Sequence, residues 1–263
     1  RDFNDGSGVT LTDFQSNNDG TLANTNNNLD QGVTWTNDSR EGFALQFSGV
    51  GSNKVVVPDS NDLDFGTNTD FAISVWIKHD TVNTDNFIQI VGKNNGYGTR
   101  GYNMVIHNTQ DDKLRMLIDW FGNKVVQTFA GSPDLIDDAW HHLVINYDRD
   151  GDATGFVDGV NIGTIDISAS NGNNISNSQD LWIGNFSLSS NKFIGVMDEL
   201  AIWGRTLTEN EVSSIYNNGS QGGTLLGAAP SFGVPEYSTL VFSFCLIFTF
   251  FLLYKKLPNF KRI

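Results

Sequence analysis

The sequence repeats short apolar runs, each bounded by glycine, asparagine or aspartate. In the run Phe71–Lys78, apolar residues occupy the odd positions, whereas Ser74, Trp76 and Lys78 share the other face. This period of two is that of a β-strand with one face on a core. About a dozen such runs lie between Phe43 and Trp203, with no alternating helical segments. The pattern predicts an all-β fold, a two-sheet antiparallel sandwich.

One segment departs from the strand pattern, at residues 207–219. Thr208 followed by Glu211 makes a capping box, in which each side chain bonds the backbone of the other residue. The helical spacing then gives one buried face, and Gly219 is expected to end the helix. The predicted buried residues are Val212, Ile215 and Tyr216.

The chain is acidic, with a formal net charge of -14. Four basic residues and one acid follow residue 234, which leaves 12 basic and 29 acidic residues before it. Such a surface repels phosphate backbones, so the composition argues against nucleic acid as a partner. The single cysteine, Cys245, lies in a C-terminal apolar run, so we expect no disulfide within the preceding domain.

The apolar run 240–254 is uncharged, and as a helix it reaches roughly 22 Å. Four basic residues follow it between 255 and 262, and basic flanks stay cytoplasmic. The sequence therefore predicts a domain at 1–220 outside the cell, a linker at 221–236, a transmembrane helix at 237–255 and a cytoplasmic tail at 256–263. The sequence opens at Arg1 without a basic-then-apolar leader, which leaves open whether a signal peptide was removed, so we infer export from the C-terminal tail alone.

Seven segments, taken in order, resemble a laminin-G-like domain of the concanavalin A-like jelly-roll superfamily. They are FNDGSGVTLTDFQSNNDGTL, REGFALQFSG, DFAISVWIK, AWHHLVINYD, GFVDGVNIG, LWIGN and FIGVMDELAIWGRTLTENEV. The resemblance covers residues 2–218 and implies a jelly-roll sandwich. Residues 234–237, VPEY, together with the apolar and basic residues after them, resemble the PEF-CTERM-like sorting tails of archaea. That second resemblance implies an archaeal surface protein.

The same superfamily contains glucanases that carry an E-x-D-x-x-E strand, so hydrolysis has to be weighed. None of the five glutamates, at 41, 199, 209, 211 and 236, makes that pattern. Asp198 and Glu199 are adjacent, and a regular strand points adjacent residues to opposite faces. His141 and His142 are consecutive, which excludes a shared metal on a regular strand. We therefore expect no enzymatic activity.

The resemblance also implies a structural calcium ion between an early loop and the last long strand. Its candidate ligands are oxygen donors at Asp13, Asn17, Asp19, Gly20 (through its carbonyl) and Asp198. The alternative is that Asp13, Asn17 and Asp19 bond only their own turn, as Asn and Asp often do. Both interpretations remain open on the sequence.

For ligand contact we single out the loop 91–103 and the hairpin 119–124, where aromatic and polar residues mix. The candidates are Tyr97, Arg100, Tyr102, Trp120, Phe121 and Asn123. The alternative for Trp120 is that it covers a sheet edge. Sequons for N-glycosylation occur at Asn37, Asn174, Asn185 and Asn218.

Together these features predict a single-pass membrane protein whose non-enzymatic domain binds a glycan or a protein partner outside the cell. A second hypothesis is a structural element of an envelope, an appendage or a membrane complex, packing on neighbours without a free ligand. The third and weakest hypothesis is a glycoside hydrolase.

Overall fold

The computed structural model describes residues 5–13, 18–23, 32–50, 54–81, 85–94, 99–110, 112–185 and 191–223. Within these ranges the chain forms strands, one α-helix and three short 3₁₀ helices (Asn61–Leu63, Asn108–Gln110 and Ser168–Ser170). The strands are β1 (Thr10–Leu11), β2 (Gly20–Ala23), β3 (Val33–Thr36), β4 (Ala44–Ser48), β5 (Lys54–Val57), β6 (Phe71–His79), β7 (Phe87–Gly92), β8 (Gly101–His107), β9 (Lys113–Asp119), β10 (Lys124–Thr128), β11 (Trp140–Tyr147), β12 (Asp152–Val157), β13 (Val160–Asp166), β14 (Leu181–Ile183) and β15 (Ile194–Trp203). The helix α1 spans Glu209–Ser220.

The strands form two sheets, and every pairing in them is antiparallel. Sheet A has the order β1-β2-β5-β14-β7-β8-β9-β10, and sheet B has the order β13-β12-β11-β6-β15-β4-β3. The predicted all-β two-sheet sandwich is confirmed. The strands that the sequence pattern did not predict include β1, β2 and β3, which are two to four residues long and therefore too short to show a period.

The core lies between the sheets and is built from the alternating apolar residues. The odd positions of β6, beginning with Phe71, are fully buried. The rings of Phe65 and Tyr147 stack on Phe71 at centroid distances of 4.1 and 4.2 Å. Burying each large apolar side chain stabilises the fold by about 1.5–3 kcal/mol. The strands are thus stabilised by burial of the apolar face that the period of two predicts.

Helix α1 covers the outer face of sheet B. Its capping box between Thr208 and Glu211 is confirmed. Val212 and Ile215 are buried in a second apolar cluster against this sheet, and Tyr216 stacks on Trp76 with ring centroids 5.6 Å apart.

Gly219 does not end the helix, contrary to the prediction, because α1 continues to Ser220. Instead Gly219 lies against Trp76, where a β-carbon would meet the indole nitrogen at 2.5 Å. Its role is to allow this close approach of the helix to the sheet.

The segment around Arg40 completes the cover of sheet B. The guanidinium of Arg40 lies 4.7 Å from the ring centroid of Trp76, and its Nη2 donates to the carbonyl of Gly219 at 2.8 Å. The backbone N–H groups of Arg40 and Glu41 donate to Oδ2 of Asp198 at 2.7 and 3.2 Å. Buried Asp198 therefore ties the long strand β15 to this segment.

No helix in the described part of the chain is long and apolar enough to cross a membrane. The segment 237–255, which the sequence predicts to span one, lies outside the described residues, as do Cys245, most of the predicted linker and the basic tail.

Candidate functional site

An open depression of about 80 Å³ lies on sheet A, across β7, β8 and β9. We call it the outer depression. Three successive strands each contribute two lining residues: Phe87 and Gln89 on β7, Asn103 and Val105 on β8, and Arg115 and Leu117 on β9. Asn94, Val126 and Asn191 also line it. Asn103 and Val105 alternate with Tyr102, Met104 and Ile106, which are core residues. The depression is therefore on the face that points away from the core.

A β-bulge in β7 shapes this surface. Gln89 pairs with Val105, but Gly92 pairs with Asn103, so β7 contains one extra residue at this point. Gln89 and Gly92 are three apart in sequence and would lie on opposite faces of a regular strand. The bulge brings both to the outer face. A β-carbon on Gly92 would overlap Oδ1 of Asn103 and Nε2 of Gln89, so the glycine makes room for both amides.

Each of these two buried amides has one side-chain atom without a hydrogen bond in the described part of the chain. Gln89 is 2% exposed and Asn103 is 5% exposed. Within the described residues, neither Nε2 of Gln89 nor Oδ1 of Asn103 has a hydrogen-bond partner. Leaving a buried polar atom unpaired costs about 1–3 kcal/mol. One unpaired donor and one unpaired acceptor side by side match a ligand hydroxyl, which both accepts and donates.

Arg115 supplies the charge of the outer depression. Its guanidinium lies 5.1 Å from the ring centroid of Phe87, and Nη1 is 3.0 Å from Nδ1 of His107. An arginine only donates, so Nδ1 of His107 accepts this bond. Nε2 of His107 lies 2.9 Å from Oγ1 of Thr109. The His107 ring stacks on Phe87 at 4.8 Å.

Trp182 lies on the same outer face, one strand from the bulge. It pairs with Gly92 in register, and it is half-buried while its neighbours Leu181 and Ile183 belong to the core. The ammonium of Lys54 lies 3.4 Å from the indole centroid. Burial lowers the pKa of Lys54, and Asp180 opposes that shift. An aromatic side chain therefore adjoins the two unsatisfied amides.

The predicted ligand residues fall largely outside this depression. Tyr102 is wrong as a ligand residue, because it is 1% exposed and its hydroxyl donates to the carbonyl of Leu63 at 3.0 Å. Trp120 is half-buried and packs against the core. Tyr97 lies outside the described residues.

The tip of the hairpin between β9 and β10 keeps the remaining candidates exposed. Phe121 is 72% exposed and adopts a left-handed backbone with φ of 68°. The guanidinium of Arg100 lies 5.5 Å from its ring centroid. Asn123 is exposed, and its carbonyl accepts a bond from the backbone N–H of Trp120 at 2.9 Å. This tip adjoins the strands of the outer depression, although these residues do not line it.

Gln89, Asn103 and Arg115 lie on strands, whereas the sequence predicts ligand contacts in a loop and a hairpin. The alternation of polar and apolar residues along these strands indicates their position. Each is the polar residue at an outward position of an otherwise apolar run, in FIQIV, YNMVI and KLRMLI respectively. Reading those strands for their outer face would have found all three.

The calcium candidates are not brought together within the described residues. The backbone N–H of Asp13 donates to Oδ1 of Asp19 at 2.8 Å, which is the self-bonded turn of the alternative interpretation. Asn17 lies outside the described residues. Asp198 accepts the amides of the Arg40 segment, and burial raises its pKa to about 8 although those bonds oppose the shift. No group of three His, Cys, Asp or Glu residues fit to hold a metal occurs among the residues described. The calcium ion stays a prediction.

A serine–histidine pair lies under α1. Oγ of Ser74 is 2.9 Å from Nε2 of His142, and both residues are fully buried against Trp76. Burial lowers the pKa of His142 to about 3. Because the helix covers this pair, a substrate cannot reach it, and the bond is structural.

The sequons differ in accessibility. Asn37 and Asn174 are exposed, and Asn218 is half-buried in α1. Asn185 is fully buried, so the prediction of a glycan on it is wrong for the folded domain: a glycan needs an exposed amide.

Comparisons with known proteins agree with the fold. In sequence, the chain is 23% identical over 208 residues to Paraclostridial mosquitocidal protein 1 of Paraclostridium bifermentans, covering 74% of this chain and 16% of that protein. It is 28% identical over 188 residues to botulinum neurotoxin type X of Clostridium botulinum, covering 68% and 13% respectively. The chain thus spans less than a fifth of either relative.

Among solved structures, the binding domain of Paraclostridial mosquitocidal protein 1 superposes with a TM-score of 0.59 at 21% identity, covering 79% of this chain and 51% of that one. Domain 4 of AbnA, an arabinanase of Geobacillus stearothermophilus, gives a TM-score of 0.56 at 16% identity, covering 75% and 87%. These likenesses show the fold. Residues 48–213 match the family model Laminin_G_3, and by this match the chain belongs to the concanavalin A-like lectin/glucanases superfamily.

Proposed function

We propose that the sandwich is a non-enzymatic recognition domain that binds a glycan in the outer depression. The observation that carries this proposal is the pair of buried, unsatisfied amide atoms, Nε2 of Gln89 and Oδ1 of Asn103. Both atoms are buried, so a sugar hydroxyl would satisfy them once the two amide side chains turn toward the depression. Phe87 lines the depression, and Trp182 lies on the same outer face of sheet A, so aromatic side chains adjoin this site.

Similar folds occur in proteins whose ligands are sugars. Domain 4 of AbnA was solved in complex with arabinotriose. A structure of botulinum neurotoxin type C, with a TM-score of 0.57, is described through an interaction with two ganglioside molecules. These facts concern those proteins, and they make a carbohydrate the first ligand class to test here.

The distribution of acidic residues supports a binding role over hydrolysis. Glycosidases place two carboxyl groups on either side of the scissile bond. The described residues that line the outer depression include no Asp or Glu. Asp198 and Glu199 lie on sheet B, where both are buried.

We also propose that the domain works outside the cell, anchored through residues 237–255. The support is the uncharged apolar run and the basic residues after it. Protease added to whole cells should then cut the domain, and carbonate washing should leave the chain in the membrane fraction. Release of the intact chain by carbonate would contradict the anchor.

The glycan proposal is tested with the full chain in detergent on a glycan panel, followed by titration calorimetry on the best ligand. Asn103→Ala should weaken binding about tenfold, because it removes an acceptor for a ligand hydroxyl. Gln127→Ala is the control, since Gln127 is an exposed amide on the neighbouring strand β10 and does not line the depression. Unchanged affinity in Asn103→Ala, or no binding across the panel, would refute the proposal. Self-association of the chain without glycan binding would favour the structural-element hypothesis.

A further inference from the structure

We infer that the outer depression selects glycans that carry a carboxylate, such as those containing uronic acid, and that Arg115 is the residue that binds this group. The inference rests on the proposed glycan-binding function and adds the ligand class to it.

The first argument is the charge of the lining residues. The chain contains 30 Asp and Glu residues against 16 Lys and Arg residues. The described lining residues of the outer depression nevertheless contain no acid and one formal charge, the guanidinium of Arg115. An acidic protein repels an anionic ligand over most of its surface. A site that binds such a ligand needs a cation and few carboxylates in its lining, and the described lining residues meet both conditions.

The second argument is that Arg115 is held in place. Its guanidinium lies on Phe87 at 5.1 Å, and its Nη1 donates to Nδ1 of His107 at 3.0 Å. A planar guanidinium has five N–H donors in a fixed fork, so it can keep this bond and still donate to a carboxylate. Because its neighbours fix the orientation, less side-chain freedom is lost when the ligand binds.

The third argument is the position of Arg115 relative to the unsatisfied amides. Arg115 pairs with Val105, which pairs with Gln89, so these side chains form one row across three strands. Asn103 pairs with Leu117, two residues from Arg115 on β9. Such diagonal neighbours are about 7–8 Å apart, a separation that one sugar residue can bridge with its carboxylate at one end and a hydroxyl at the other.

The test uses the full chain in detergent and two matched probes: a short galacturonate oligosaccharide, and the same oligosaccharide with its carboxyl groups reduced to alcohols. We expect the chain to bind the charged probe at least about tenfold more tightly than the reduced one, since a charge-assisted bond is lost on reduction. This comparison needs no variant, so it does not depend on whether a mutant folds.

Variants then assign the effect to Arg115. Arg115→Met should abolish the preference for the charged probe, and Arg115→Lys should retain only part of it, because lysine keeps the charge without the fork. Lys113→Met is the matched control: Lys113 is a basic residue two positions from Arg115 on β9 and does not line the depression. Melting curves check that each variant is folded.

Each outcome separates the two proposals. Equal binding of the charged and reduced probes, lost in Asn103→Ala, would overturn the carboxylate inference while glycan binding stands. A loss of preference in Lys113→Met but not in Arg115→Met would overturn the assignment of Arg115. Failure to bind either probe or any glycan of the wider panel would refute the proposed function itself, and binding confined to neutral glycans would refute only the inference.

Discussion

The side-chain oxygen of Asn103 occupies the space above Gly92 in which any larger residue would carry its β-carbon. The two residues are paired in register across β7 and β8, and the bulge after Gln89 is what turns Gly92 toward this face. A backbone irregularity in one strand thus makes room for the amides from which we infer sugar binding. This arrangement yields a test that separates binding from folding.

Gly92→Ala should reduce glycan binding at least about tenfold while the melting temperature changes little. The added methyl group displaces the ends of two flexible side chains, Asn103 and Gln89, rather than backbone. Calorimetry and thermal melting measure the two effects. Gly101→Ala is the contrast, because there the methyl group meets the backbone carbonyl of Lys93 at a φ of 133°, so folding itself should suffer. If Gly92→Ala bound as the parent does, the depression would not be the site.

Phe121→Gly should raise stability by about 0.5 kcal/mol. A left-handed conformation destabilises a residue with a side chain by about 1–2 kcal/mol, and glycine removes this cost. The greater freedom of glycine in the unfolded chain destabilises the fold by about 0.5–1 kcal/mol, which offsets part of the gain. If this exposed ring contacts ligand, as the sequence predicts, affinity should fall at the same time. Val160→Ala, at an exposed apolar residue on sheet B, should change neither quantity. Lower stability in Phe121→Gly would show that the left-handed backbone of Phe121 is not strained.

Two buried histidines should make the domain sensitive to acid. Burial lowers the pKa of His79 to about 4 and that of His142 to about 3, from 6.5. Below pH 6.5 these histidines bind protons in the unfolded chain but stay unprotonated in the folded chain. The free energy of unfolding therefore falls as the pH drops toward 4. Each histidine contributes up to about 1.4 kcal/mol per pH unit. Denaturant titrations from pH 4.5 to 7.5 should show that the free energy of unfolding depends less steeply on pH in His142→Gln than in the parent protein. An unchanged slope would mean that His142 titrates normally.

Asp198 should act in the opposite direction. Burial raises its folded pKa to about 8 from 3.8, so between these values the folded state keeps a proton that the unfolded state has lost. Its contribution to stability is complete below pH 3.8 and is lost as the pH rises through 8. Melting temperatures in chelator should therefore decline from pH 6 to 9, and Asp198→Asn should flatten that decline. A parent protein with no alkaline decline would show that the carboxylate is already ionised.

Calcium is tested by the same melting experiment. If Asp198 and the first loop hold the predicted ion, chelator should lower the melting temperature by several degrees and calcium should restore it. Asp198→Ala should then lose the response. No chelator effect, together with no metal in elemental analysis, would leave Asp13 and Asp19 as the self-bonded turn that the structure shows.

The local features of this fold could be predicted because they depend on neighbouring residues. The period of two in β6 places its odd positions in the core, and Thr208 with Glu211 starts α1. Strand boundaries near the N-terminus could not be predicted, since β1 has only two residues.

The all-β class, the helix cap and the outward position of Gln89, Asn103 and Arg115 follow from the sequence, because alternation along a strand is a local property. That these three side chains, from three strands, share one depression follows from the tertiary structure alone. Their meeting depends on strand order and register, and above all on the single extra residue in β7 that brings Gln89 and Gly92 to the same face. A bulge follows from the packing of both sheets and leaves no periodic signal in the sequence. The burial of Tyr102 could not be predicted either, because its ring contacts Phe65 and Phe71 only in the folded sandwich.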